Sequence, residues 1–188
     1  MMAAMFWHRW FGRRGSRVEA TNDDALLERR VIVLRGMIDD TAANHVIAKL
    51  MYLRDQNNTA PIRLHINSPG GRVSASLAIR DQMQAAAAEV YTHCAATSLG
   101  TAALLLAHGA RGHRTAEPHA RLSLCRIEGS GTASDLLATE QIVVAMLAAD
   151  TGQTSATVAD DMRASKRFDA NAAVEYGLID RIDGGDTA

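Results

Sequence analysis

From Arg29 onward, short β-branched or alternating runs take turns with segments of helical period, and few architectures accept that rhythm. Val31-Ile-Val-Leu34 reads as a strand ending near Gly36. Asp39 and Asp40 open a helix predicted over 41–54, where Val46, Ile47, Leu50, Met51 and Leu53 recur at helical spacing. After a break ending at Pro61, Ile62, Leu64 and Ile66 alternate with polar residues, as on a strand with one buried face. A turn at 68–71, a helix over 74–88 and a strand over 90–95 follow. The stretch 102–107 is apolar all round and predicts a buried helix closed by His108-Gly109. Next come a strand over 121–127, a loop over 128–132, a helix over 135–149 stopped at Thr151-Gly152, and a short helix over 155–163. Asp169 is the expected N-cap of a helix over 170–176 that Gly177 stops, before a last strand over 178–182. Such alternation with short connections means an α/β fold.

With 188 residues there is room for one such core and not for two. Hydrophobic residues at 47% and charged residues at 22% are globular proportions. No apolar run approaches the roughly 20 residues that span a bilayer. A net charge of −1 supplies no basic field for nucleic acid. The two cysteines, Cys94 and Cys125, cannot build a disulfide framework, and no histidine pair stands at zinc-ligand spacing. The expectation is a soluble, cytoplasmic chain without cofactor or metal. Its domain should occupy residues 25–188, behind an arm of residues 1–24. That arm concentrates Phe6, Trp7, Trp10 and Phe11 among arginines and lacks the apolar core of a signal peptide. It reads as a partly ordered terminus or a docking arm, with membrane contact the lesser option.

Two local motifs could do chemistry. Asn67-Ser-Pro-Gly-Gly71 follows a strand and precedes a helix, and its glycines let backbone N–H groups approach a bound chain. Ser98-Leu-Gly-Thr-Ala102 enters the buried helix, whose N-terminus offers oriented donors of the oxyanion-hole kind.

Several segments, in order and spacing, resemble the Clp protease proteolytic subunit (ClpP) family. They are 31–36, Ile38-Asp-Asp40, Ile66-Asn-Ser-Pro-Gly-Gly71, Ala78-Ile79, Gly109-Ala-Arg-Gly112, Thr151-Gly-Gln153 and Val174-Glu-Tyr-Gly-Leu-Ile-Asp180. The resemblance covers residues 25–183. It implies a ClpP/crotonase-like spiral of βαβ units, stacked seven-membered rings around a chamber, and an ATP-driven AAA+ unfoldase as partner. Active members use a Ser-His-Asp triad beside a glycine oxyanion loop.

Carried over position by position, the triad is missing. The ungapped match between Cys94 and Gly109 places Gly100 at the nucleophile. Reading Ser98 as the nucleophile instead requires two compensating slips. Cys125 stands at the general base, where a thiol of pKa near 8.5 cannot relay a proton as imidazole does. Ser165 stands at the orienting acid, and neither Lys166 nor Asp169 replaces it. Backbone donors around Gly70, Gly71 and Thr101 are retained. The resemblance thus implies a degenerate, ClpR-like subunit that regulates or scaffolds a ring alongside an active paralogue. Two other readings stay open: an altered hydrolase using Ser98 or Cys125, the latter with His119 or His93 as base, and a stand-alone peptide-binding module. The segment 125–151, the handle that interlocks two rings in the family, is shorter by roughly two helical turns. Weak stacking of the chain on itself is expected.

Overall fold

The computed structural model describes residues 17–128 and 132–184. Residues 1–16 of the expected arm and 129–131 of the expected loop lie outside these. The expected border between arm and domain falls inside a helix, α1 (Arg17–Glu28). Behind it come β1 (Val31–Arg35), α2 (Asp40–Gln56), β2 (Ile62–Ser68), α3 (Val73–Ala85), β3 (Val90–Leu99) and α4 (Thr101–Ala107). The remainder is β4 (Arg114–Ala116), β5 (Arg121–Ser123), α5 (Ala133–Thr151), α6 (Ser155–Arg163), β6 (Arg167–Phe168), α7 (Ala170–Tyr176) and β7 (Arg181–Ile182). No described helix is long and apolar enough to cross a membrane.

The element starts follow local chemistry. Asp39 accepts a hydrogen bond from the Ala42 N–H and caps α2. Thr132 and Asp135 form a reciprocal capping box on α5, and Asp169 accepts from the Ala172 N–H at the start of α7. Gly152 and Gly177 end α5 and α7 in the left-handed conformation.

Parallel strands run in the order β1-β2-β3-β4-β7. The long β3 forks. Thr92–Cys94 pairs with β4, whereas Thr97–Leu99 pairs with β5, which in turn meets β6 antiparallel. The fork lies between Cys94 and Thr97 and turns the chain from one βαβ layer into the next, and Gly100 follows the β5-paired half of β3. Ile62, Leu64 and Ile66 of β2 are wholly buried, as are Leu104, Leu105 and Leu106 of α4, so one core lies between sheet and helices.

Charges tie the periphery. Arg30 donates to the carbonyls of Leu53, Asn57, Ala60 and Pro61, placing a cation at the C-terminus of α2. Lys49 holds Asp23 of α1 at 3.0 Å. The Arg114 guanidinium donates to the carbonyls of Ala107, Asp150 and Gly177, at the C-terminal ends of α4, α5 and α7, and pairs with Asp180.

Candidate functional site

The glycine turn after β2 is built by its own residues. Ser68 Oγ donates to the Gly36 carbonyl at 2.6 Å and accepts from the Gly70 N–H at 3.0 Å. Gly70 has φ +89°, and a Cβ there would stand 2.5 Å from the Leu99 carbonyl oxygen, so only glycine fits. Gly71 bridges to Ile38, which donates to the Gly70 carbonyl and accepts from the Arg72 N–H. The turn is thereby pressed against the mouth of α4.

At that mouth Gly100 has φ +56° and ψ −119°. A sharp strand-to-helix turn of this kind lifts an attacking side chain out of a sheet, at a cost in backbone strain that glycine largely escapes. The Gly100 N–H donates to the Ser123 carbonyl at 2.8 Å, and its own carbonyl accepts from Ala103. A Cβ built on Gly100 would stand 2.6 Å from Cys125 Sγ. The structure therefore brings together the two residues that the resemblance assigns to nucleophile and base, and the thiol fills the space a side chain at position 100 would need. Gly100, Thr101, Leu104, Leu124, Cys125 and Met162 are among the residues lining a cleft of only about 10 Å³, room for one water.

Cys125 is half-buried and lies past the end of β5, outside the strand expected over 121–127. The Leu124 N–H still donates to the Lys166 carbonyl, one bond beyond the paired residues of β5 and β6, before the chain leaves the sheet at Cys125. Burial, with the Glu128 charge, pushes the Cys125 thiol up, the opposite of activation. His93 spends its ring on Thr115, Asp183 and Glu117, and His119 is exposed in the turn before β5. Neither histidine is bonded to Cys125.

Ser165 is exposed, with φ +49°, in the turn after α6. Its neighbour Lys166, through the bond from Leu124, joins this turn to the Cys125 segment. Lys166 is paired with Asp161 at 3.1 Å, and Asp169 is the cap of α7. Ser98 is fully buried inside β3, opposite Ser68 and Leu122, and its Oγ has no hydrogen-bond partner. It is two residues away from the mouth and on a different element.

One contact was invisible in the sequence. Thr101 Oγ1 accepts from the Gly71 N–H at 3.0 Å, with Thr101 itself only 6% exposed. A donor expected to face a ligand is thus occupied by the chain's own hydroxyl. The Thr101 N–H is at the first turn of α4, where helix geometry leaves such groups without an intrahelical partner. Among the described residues no cluster of histidine, cysteine or carboxylate side chains could hold a metal.

A forked, mostly parallel sheet with a glycine turn facing a strand-to-helix mouth defines a crotonase-like α/β protein. The chain matches the Clp protease family over residues 14–185 and belongs to it. It is also 36% identical over 168 residues to the chloroplastic "ATP-dependent Clp protease proteolytic subunit-related protein 2" of Arabidopsis thaliana, a match covering 85% of this chain and 60% of that protein. By that relative it is a ClpP-like chain of the related, ClpR-like kind, and the match spans 60% of the plant protein's length.

Proposed function

We propose that this chain is a non-catalytic subunit of an ATP-dependent Clp protease assembly. It would enter a ring, heptameric as the family resemblance implies, beside a catalytically competent relative. There it would shape the wall that an AAA+ unfoldase engages in the cytoplasm. The observation that carries this reading is the pairing of Gly100 with Cys125: position 100 has no side chain to attack with, and Sγ would stand 2.6 Å from a Cβ built there. Without nucleophile and base, an oxyanion hole and binding alone leave about 10³–10⁴ of acceleration over water, too little for peptide cleavage. Even that remnant is curtailed, because Thr101 takes up the Gly71 donor. The same contact weighs against a stand-alone peptide-binding module.

The alternative of an altered hydrolase has less support. Ser98 has no exposed surface and no base, and the Cys125 thiol is pushed toward its neutral form. The test is incubation of the purified chain with a fluorogenic dipeptide and a fluorophosphonate probe. No turnover and no labelling are expected; a labelled Ser98, or peptide cleavage abolished by Cys125→Ala, would overturn the proposal.

A further inference from the structure

On the polar face that β2, β3, β4 and β7 leave open, one histidine has an acid at each ring nitrogen. Ile62, Leu64 and Ile66 of β2 turn into the core, while exposed Arg63 and half-buried His65 look outward. Register sets His65 beside His93 of β3, and His93 beside Thr115 of β4. Together with Tyr91, His113, Glu117, Arg181 and Asp183 they line a cavity of about 360 Å³. The His93 side chain is only 13% exposed.

Its two nitrogens are not equivalent. Nδ1 lies 2.9 Å from Thr115 Oγ1 and 3.1 Å from the Asp183 carboxylate. The Thr115 hydroxyl donates to Asp183 at 3.1 Å, so toward the ring it can only accept, and Nδ1 carries a proton in either charge state. Nε2 faces Glu117 Oε1 at 3.5 Å. A neutral ring therefore sets a lone pair against a carboxylate, which also only accepts. The imidazolium donates to both acids.

The surroundings single out this ring and this acid. Arg181 pairs with Asp183 at 3.8 Å and donates to the Gly112 carbonyl at 2.9 Å, so Asp183 is held whatever the charge on His93. Glu117 is half exposed, and His93 is its one ion-pair partner among the described residues. The His65 ring lies 4.9 Å from that of His93, centroid to centroid. Burial first, then the charges of His93 and Arg63, hold the His65 imidazole below the ordinary histidine value against the pull of Asp183. Tyr91 and His113 stack on each other at 3.8 Å.

We propose that His93 is a proton-operated latch: its imidazolium draws in Glu117 and fastens the turn that leaves β4, and its neutral form lets that turn go. Glu117 opens the turn, its N–H donating to the Cys94 carbonyl and its carbonyl accepting from the Ala120 N–H. The bond from Nε2 exists only with the added proton, so the latch is shut at acid pH and opens as pH rises. β7 stays in place in both states, because Thr115 and Arg181 keep hold of Asp183. The inference rests on this cluster and not on the loss of the triad.

The test follows amide hydrogen exchange of the full-length chain from about pH 5 to about pH 8, corrected for the intrinsic pH dependence of exchange. The Glu117 and Ala120 amides should be about threefold better protected at the acid end, as for one partly exposed ion pair. The Asp183 amide, bonded to the Ala116 carbonyl, should not respond. Glu117→Gln, at an exposed position, should remove the difference, since a carboxamide can face either form of the ring. His93→Gln should do the same, and His65→Gln should leave the difference in place. Equal protection at both ends of the range, or a difference that survives Glu117→Gln, would overturn the proposal. So would its loss in a folded His65→Gln chain, or a pH effect shared equally by the β4 and β7 amides.

Discussion

Gly100 owes its identity to two constraints that act at one Cα. Its positive φ would strain any L side chain, and Sγ of Cys125 occupies the direction in which a Cβ would point. Restoring a serine there is consequently more than a change of chemistry. Gly100→Ser should lower stability by about 1–3 kcal/mol, read by urea unfolding, and should not react with a fluorophosphonate. Placing the same change in a Cys125→Ala background should recover the steric part of that loss. The thiol itself should be slow toward iodoacetamide at neutral pH and quicken as pH rises past the ordinary cysteine range, because burial and Glu128 disfavour the thiolate. Glu128→Gln should bring the onset of alkylation to lower pH. At this scale the family resemblance singled out Gly100, Cys125 and Ser165, and the structure sets the first two side by side and leaves Ser165 in an exposed turn. The sequence was silent about Thr101 closing onto Gly71, because no local pattern reports which of two facing groups is near enough to bond.

Among the elements, Arg114 is the common tie. It stands at the C-terminal ends of α4, α5 and α7, 5% exposed, and is locked to Asp180. Arg114→Ala should cost about 3–5 kcal/mol in denaturant unfolding, as expected when one partner of a buried pair is removed, and Arg114→Lys should restore little of it, since an ammonium cannot span three carbonyls and a carboxylate. The pH dependence carries a sign. Burial pushes the Asp180 carboxyl up, but hydrogen bonds and charge from Arg114 outweigh it and hold the group below the usual carboxylate range. A depressed folded value means that the contribution is fully present above the unfolded value, about 3.9, and is lost as pH falls through the folded one. The stability gap between wild type and Asp180→Asn should therefore be flat above about pH 5 and shrink below about pH 4. Elements with caps were readable in the sequence: Asp39, Asp169 and Gly177 sit where their chemistry requires. Short β4 and β6 were not, because strands of three and two residues are defined by their partners and have too few positions to show a period. β3 continues to Leu99, past the expected residue 95, because β5 pairs with its far half.

For the whole molecule, assembly turns on exposed apolar surface. Leu137 and Ile142 of α5 are 57% and 49% exposed and leave apolar side chains on the outer surface of the helix. We expect this helix to be covered by another subunit. Replacing both residues by glutamate should shift the species seen by native mass spectrometry to lower mass while leaving the circular dichroism melt of the chain unchanged. Alone, the chain should sediment as no more than one ring; a stable two-ring assembly of this chain by itself would contradict the shortened handle. Mixed with a catalytically competent member of the family, it should appear in the same ring.

Periodicity, caps and glycine turns are local properties, written into a few neighbouring residues, and they were enough to read the α/β alternation, the buried α4 and the family. The meeting of Gly100 with Cys125, the hydroxyl seated on the Gly71 donor and the open polar face that Arg63 shares with His65 join residues far apart along the chain. Such neighbours exist only once the fork of β3 and the packing of its helices have set the distances, because contact between remote side chains is a consequence of the folded geometry as a whole and leaves no mark on the order of residues around either one.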